Sequence, residues 1–91
     1  MQALPDTVTA YRRTPVFDAE SVPAGLRSNH RTAAGVWGMI TVLEGELRYD
    51  IEGETPETVL LNPERPGIVA PQVPHRVTPQ GPVRFYVEFH R

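Results

Sequence analysis

Residues 36–43 read Val-Trp-Gly-Met-Ile-Thr-Val-Leu, and this stretch decides the fold class. β-Branched and aromatic residues dominate it, and it is too short for a typical helix, so it predicts a strand that is buried on both faces. After Gly45, the apolar residues Leu47, Tyr49 and Ile51 alternate with polar ones. A period of two is typical of a strand with one exposed face, and we therefore expect a β-hairpin that turns at Gly45.

The remainder of the chain predicts further short strands between proline and glycine turns. They are expected over residues 7–13, 58–61, 68–70, 73–78 and 83–90. Such a series, with almost no helical periodicity, predicts an all-β jelly-roll sandwich or barrel with antiparallel pairing. The length of 91 residues predicts a single small domain, residues 1–91. A small core and exposed strand edges favour a homodimer.

The last two strands determine which side chains share a face. They are separated by Pro79-Gln80-Gly81-Pro82, and because proline cannot donate to a β-ladder we expect a four-residue hairpin loop there. This loop would pair His75 with Tyr86 and place both on one face with Glu88. A loop that differed by one residue would turn Glu88 outward, so the pattern leaves its direction open.

The composition excludes several classes of protein. Nine basic residues, all arginine and scattered along the chain, stand against eleven acidic ones, for a net charge of −2. This distribution disfavours a nucleic-acid partner, which requires a clustered positive patch. No apolar run reaches the roughly 18 residues of a membrane span, and we expect no membrane association. The absence of cysteine excludes disulfides and thiol chemistry, and it fits a reducing, cytoplasmic location.

The side chains available for chemistry are three histidines, the carboxylates and three tyrosines, since the chain also lacks lysine. No P-loop, G-x-S-x-G or H-E-x-x-H motif is present. His75 follows two prolines that stiffen its approach, which suits a pre-positioned ligand; the alternative is a ring satisfied by backbone carbonyls. His30 is either a ligand or an exposed loop residue, and His90 is expected at the surface. Trp37 and Tyr86 are expected to be core or rim residues.

Four segments together match a known family. They are His30-Arg31-Thr32-Ala33-Ala34-Gly35-Val36-Trp37-Gly38, Val42-Leu43-Glu44-Gly45-Glu46-Leu47, Pro71-Gln72-Val73-Pro74-His75-Arg76-Val77 and Phe85-Tyr86-Val87-Glu88-Phe89. With them the chain resembles the small cupin domain of TehB-like tellurite-resistance proteins and YeaR-like proteins. The resemblance implies a single-domain cupin, a conical antiparallel β-barrel of the jelly-roll kind that holds a metal ion inside.

The resemblance also implies which residues hold the ion. The general cupin motifs supply a His-x-His pair, a glutamate and one further histidine; here His30 and His75 match the first and the last, while Thr32 stands at the second. Glu88 would replace a missing ligand, which gives one divalent cation (Zn²⁺, Fe²⁺, Mn²⁺ or Ni²⁺) on two histidines and one glutamate. The residues expected to line the pocket are Thr32, Trp37 and Tyr86.

Three functions are compatible with these features. The first is a metal-binding cupin module that accepts a small molecule or anion, and the family name links it to tellurite or oxyanion stress. The second is a metal-free domain that binds a small ligand or another protein. The third, a metalloenzyme such as an isomerase or dioxygenase, is disfavoured because only Tyr86 or Arg76 could act as a separate general base. No G-x-G-x-x-G motif is present, so methyl transfer is not expected of this chain.

Overall fold

Six antiparallel strands form the structure, a computed structural model that describes residues 1–91. The strands are β1 (Ala10–Arg13), β2 (Phe17–Asp18), β3 (Trp37–Ile51), β4 (Glu57–Leu61), β5 (Gly67–Val69) and β6 (His75–His90). The one helical element is a 3₁₀ helix over Ala24–Arg27, which is far too short to cross a membrane. The prediction of an all-β, antiparallel fold is confirmed.

Strands β3 and β6 organise the fold because they pair with each other from end to end. Their register runs from Trp37 opposite His90 to Ile51 opposite His75. The first part of β3 also pairs with β5, and its last part pairs with β4. On the other side of the sheet, β1 and β2 pair with the second half of β6. The two long strands therefore connect all the others into one sheet.

The two predicted hairpins are wrong, since Gly45 and residues 79–82 lie inside β3 and β6. Gly45 has φ +83° and Gly81 has φ +87°, and both sit where the β3–β6 register is interrupted. Pro79 pairs with Leu47 and Val83 with Gly45, so residues 80–82 of β6 face a single residue of β3. Such bulges bend a strand without reversing it. The bulge also gives Pro82, which cannot donate a backbone hydrogen bond, a position outside the regular ladder.

The predicted closure of the sheet into a conical barrel is not observed. The hydrogen-bonded order β1-β6-β3-β4 has β1 at one end and β4 at the other, and these two strands do not pair with each other. Each end consists of a short strand, of four residues in β1 and five in β4. The bent sheet therefore keeps two free edges.

The core is formed by side chains on one side of the bent sheet. Alternate residues of β6 point into it, among them Val77, Phe85 and Val87, and Leu47 and Leu61 contribute from β3 and β4. Phe85, Leu47 and Leu61 are fully buried. Complete burial of one such side chain contributes about 1.5–3 kcal/mol, and this apolar cluster therefore fixes which face of β6 points inward.

Candidate functional site

His30 and His75 lie side by side although 45 positions separate them in the chain. The backbone N–H of each donates to the carbonyl of the other, both at 2.8 Å, so the two residues form an isolated antiparallel bridge. Their imidazole rings meet edge to face, with centroids 5.3 Å apart and an interplanar angle of 85°. The loop that carries His30 is held at a second point, where the N–H of Gln72 donates to the carbonyl of Thr32. The structure thus brings two of the predicted site residues together.

His75 is buried and has one ring nitrogen engaged. Its Nδ1 lies 3.1 Å from the carbonyl oxygen of Val73. Since a carbonyl only accepts, Nδ1–H is the donor, and in the neutral ring Nε2 carries the free lone pair. Burial lowers the pKa of His75 from its ordinary 6.5, the Val73 carbonyl opposes this effect, and nearby His30 adds to it. The sequence left open that backbone carbonyls satisfy the ring nitrogens of His75, and this is the case for one of the two nitrogens.

His30 is partly buried, and its Nδ1 has no hydrogen-bond partner. Most buried polar atoms in proteins do have one. Protein atoms enclose this nitrogen, so it is an unsatisfied atom of the fold. Of the two alternatives for His30, an exposed loop residue does not describe it, because the residue is half-buried, and its role as a ligand stays a prediction.

A small cavity lies against both rings. Its volume is about 20 Å³, which is room for about one water molecule. Apolar side chains supply most of its wall: Leu26, Ile40, Val69, Val77, Phe85, Val87 and Phe89. Thr32 also lines it, as expected, and its hydroxyl donates to the carbonyl of Val36 at 2.7 Å.

Tyr49 packs against His75 and was not predicted as a site residue. Its ring packs against the His75 imidazole with centroids 5.8 Å apart, and its hydroxyl donates to the Ile68 carbonyl at 2.9 Å. Burial raises the pKa of this phenol. Leu26, in the 3₁₀ helix, was also missed, because an isolated leucine in a loop gives no periodic signal.

Glu88 and Tyr86 do not share a face with His75, so Glu88 takes the outward one of the two directions that the sequence left open. Both alternate with the buried Phe85 and Val87 and therefore point to the other side of β6. The cause is the missing hairpin: β6 continues through residues 79–82, and its bulge sets which residues point inward.

The outer face of β6 holds Glu88 in a charged cluster. Glu88 accepts a hydrogen bond from Arg13 at 3.0 Å, and the Arg13 guanidinium lies over the Tyr86 ring, 4.4 Å from its centroid. His90 Nε2 lies 3.3 Å from the other Glu88 oxygen without forming a hydrogen bond. His90 is 8% exposed, so its expected place at the surface is wrong.

Trp37 also lies apart from the two histidines. It begins β3 opposite His90 and lines none of the cavities next to His30 or His75. No group of three or more His, Cys, Asp or Glu side chains is placed to hold a metal ion. The structure therefore brings His30, His75 and Thr32 to one cavity, and it leaves Glu88, Tyr86 and Trp37 outside.

Comparisons with known proteins agree on one family. A family model described as the TehB-like domain matches residues 12–87. The probable S-adenosyl-L-methionine-dependent methyltransferase TehB of Haemophilus influenzae is 32% identical over 71 residues, which is 74% of this chain and 25% of that protein. The chain thus spans about a quarter of the length of the curated relatives that it matches.

Solved structures show the same fold. The crystal structure of H. influenzae TehB has a TM-score of 0.83 at 27% identity, over 93% of this chain and 32% of that one. An Escherichia coli K12 protein has a TM-score of 0.87 at 20% identity, over 100% and 97% of the two chains. The structure of FeII HppE has a TM-score of 0.61 at 24% identity, over 81% and 40%. The last two likenesses concern the fold alone.

Proposed function

This chain belongs to the TehB-like domain family, and from that premise we propose that it is a small-ligand-binding module centred on His30 and His75. The observation that carries the proposal is the meeting of these two rings at one mainly apolar cavity. The Nε2 of His75 has no hydrogen-bond partner within the chain, so a ligand that supplies one gains a polar contact there.

The two rings offer complementary groups to such a ligand. The neutral His75 presents an Nε2 lone pair, because its Nδ1–H is used on the Val73 carbonyl. His30 lines the same cavity and adds a second imidazole, whose nitrogens donate or accept according to the tautomer. Apolar walls around them exclude water and strengthen polar contacts inside. A small polar or anionic group in the cavity beside the two rings is therefore recognised by few but well-placed contacts.

A divalent cation is the second candidate ligand, and the free Nε2 of neutral His75 favours it. The chain does not supply a complete set of protein ligands, however, since catalytic zinc takes three and structural zinc four. A resident ion on protein ligands alone does not fit these residues. In this second proposal Zn²⁺, Fe²⁺, Mn²⁺ or Ni²⁺ would be held by His30 and His75 with the other positions filled by water or a bound anion.

The wider setting belongs to the same proposal. We take the fold to be that of a small cupin, which the resemblance of the sequence motifs and the cavity between the strands support. A role in tellurite or other oxyanion stress is supported by membership of the TehB-like family. A cytoplasmic location is compatible with the cysteine-free composition. The two free sheet edges support a homodimer.

Histidine-ring NMR tests the proposal directly. The ¹⁵N-labelled protein is titrated separately with formate, phosphate, tellurite and Zn²⁺, and the three imidazoles are followed by long-range ¹H–¹⁵N spectra. At least one probe is expected to shift His30 and His75 together while His90, which lines neither the cavity nor its surroundings, stays constant as an internal control. Probes that leave both site rings unmoved, or move all three alike, would contradict the proposal.

A further inference from the structure

Three cavities converge on His30, and only one of them is the enclosed space described above. A groove of about 260 Å³, here called the Leu26 groove, is bordered by Thr14, Phe17, Pro23, Leu26, Val87 and Phe89. A second groove of about 280 Å³, the Arg12 groove, is bordered by Tyr11, Arg12, Thr32, Ala33, Val36 and Phe89. His30 lines both grooves as well as the inner cavity. The half-buried imidazole therefore stands at the junction of the three.

The charges around this junction have one sign. The chain has eleven acidic residues, yet no aspartate or glutamate lines any of the three cavities. The Arg12 groove contains an arginine that forms no ion pair within the chain. A different cavity, at the end of β3 that pairs with His75, is bordered by Glu52, Glu54 and Glu57. The surroundings of His30 thus suit an anion, and those of Glu54 do not.

The Leu26 groove adds a requirement for apolar surface. Phe17, Leu26 and Phe89, which pack against the hydrophobic core, form its walls together with Val87, which belongs to the core. Its volume lies just below the roughly 300–1,000 Å³ of pockets that hold drug-sized molecules. An inorganic oxyanion alone would leave these side chains in contact with water, whereas a ligand with a small apolar body would cover them.

We infer that the ligand of this site is a small carboxylate with an apolar body, which lies in the Leu26 groove and presents its carboxylate to His30 and Arg12. The inference rests on the proposed function, because it names the class of ligand for the His30–His75 centre. His30 supplies an imidazole that lines both grooves, and Arg12 supplies a fixed positive charge on the wall of the adjoining groove. The apolar body supplies the contact area that the charges alone would not.

Three probes of nearly the same shape but different charge separate the contribution of charge to binding from that of shape. Benzoate, benzamide and the benzamidinium cation are titrated into the EDTA-treated protein and followed by backbone and histidine-ring NMR. Benzoate is expected to shift the amides of Leu26 and Phe89 and the ring of His30. It should bind about five-fold more tightly than benzamide, the gain expected of one exposed ion pair, and benzamidinium should bind most weakly. Equal or tighter binding of benzamidinium, or shifts confined to Glu52 and Glu54, would overturn the inference.

Two substitutions assign the contacts. Arg12→Gln is expected to weaken benzoate about five-fold and to leave benzamide unchanged, whereas Leu26→Ala should weaken all three probes alike. Arg84→Gln is the matched control, because this exposed arginine lines none of the three cavities. If Arg84→Gln lost as much benzoate affinity as Arg12→Gln, the loss would be due to the change in net charge of the protein, and the assignment of Arg12 as a contact would be overturned. If Arg12→Gln fails to fold, the order of affinities of the three probes for the unaltered protein still tests whether the site prefers an anion.

The outcome also separates this inference from the proposed function. If benzoate does not bind but formate, phosphate, tellurite or Zn²⁺ still shifts His30 and His75, the ligand class is wrong and the binding centre stands. If no probe moves either ring, both proposals fail. A dimer that covers the Leu26 groove, detected by light scattering and by concentration-dependent shifts of the Leu26 and Phe89 amides, would also overturn the inference.

Discussion

Replacement of Gly45 tests the pairing of the two long strands, on which the placement of His75 depends. Gly45 has φ +83°, and a Cβ atom there would lie 2.2 Å from the carbonyl oxygen of Pro82 and 3.0 Å from Cα of Val83. Both contacts are with backbone, so no rotation of a side chain can relieve them. Gly45→Ala must therefore move the strands apart or distort the bulge.

The expected loss is the sum of two effects that a control can separate. Gly81 has nearly the same backbone, φ +87°, and a Cβ atom added to it would meet open space, with nothing within 4 Å. Gly81→Ala therefore measures the left-handed backbone alone, about 1–2 kcal/mol. Gly45→Ala adds the overlap with Pro82, about 1–3 kcal/mol, for a total of about 2–5 kcal/mol. The entropy that alanine removes from the unfolded chain is common to both variants and cancels between them.

Urea and thermal unfolding of the two variants measure this difference. In a domain of this size, each kcal/mol lowers Tm by about 4–8 °C. Gly45→Ala should therefore melt at least about 4 °C below Gly81→Ala. Equal losses in the two variants would refute the reasoning, since they would show that Gly45 sits at an open turn, as its local sequence suggests, and does not lie against β6.

Three further perturbations test the site. Burial holds the pKa of His75 below 6.5, so in mild acid the unfolded chain binds more protons than the folded one. The contribution of His75 to stability is therefore complete above pH 6.5 and falls as the pH drops below it. Tm measured from pH 7.5 to 5 should fall with the pH, and His75→Phe should reduce this fall. Tyr49→Phe leaves the Ile68 carbonyl without its donor and should cost about 1–3 kcal/mol in urea unfolding, and a neutral change would mean that water replaces the hydroxyl. Glu88→Gln should change stability by at most about 1 kcal/mol, since its partner Arg13 is exposed, and should leave Zn²⁺ and benzoate binding intact; loss of Zn²⁺ binding would instead place Glu88 among the ligands.

The strand content was predictable because it depends on local patterns. Residues 37–43 and the alternation at Leu47, Tyr49 and Ile51 all fall within β3, and residues 83–90 fall within β6. The turns were not predictable from the same patterns. A glycine with positive φ serves a reversing turn and a bending bulge equally well, and only the partner strand shows which of the two is formed.

The sequence by itself determined an all-β, antiparallel fold and identified His30 and His75 as candidate site residues, because strand propensity and side-chain type are local properties. Only the tertiary structure decided that these imidazoles meet at one cavity, that Glu88 turns away to Arg13, and that Leu26 borders the site. The physical reason is the register of β3 and β6. One residue more or less in a bulge exchanges the two faces of a strand, and the buried side chains of both strands together select the register that fills the core.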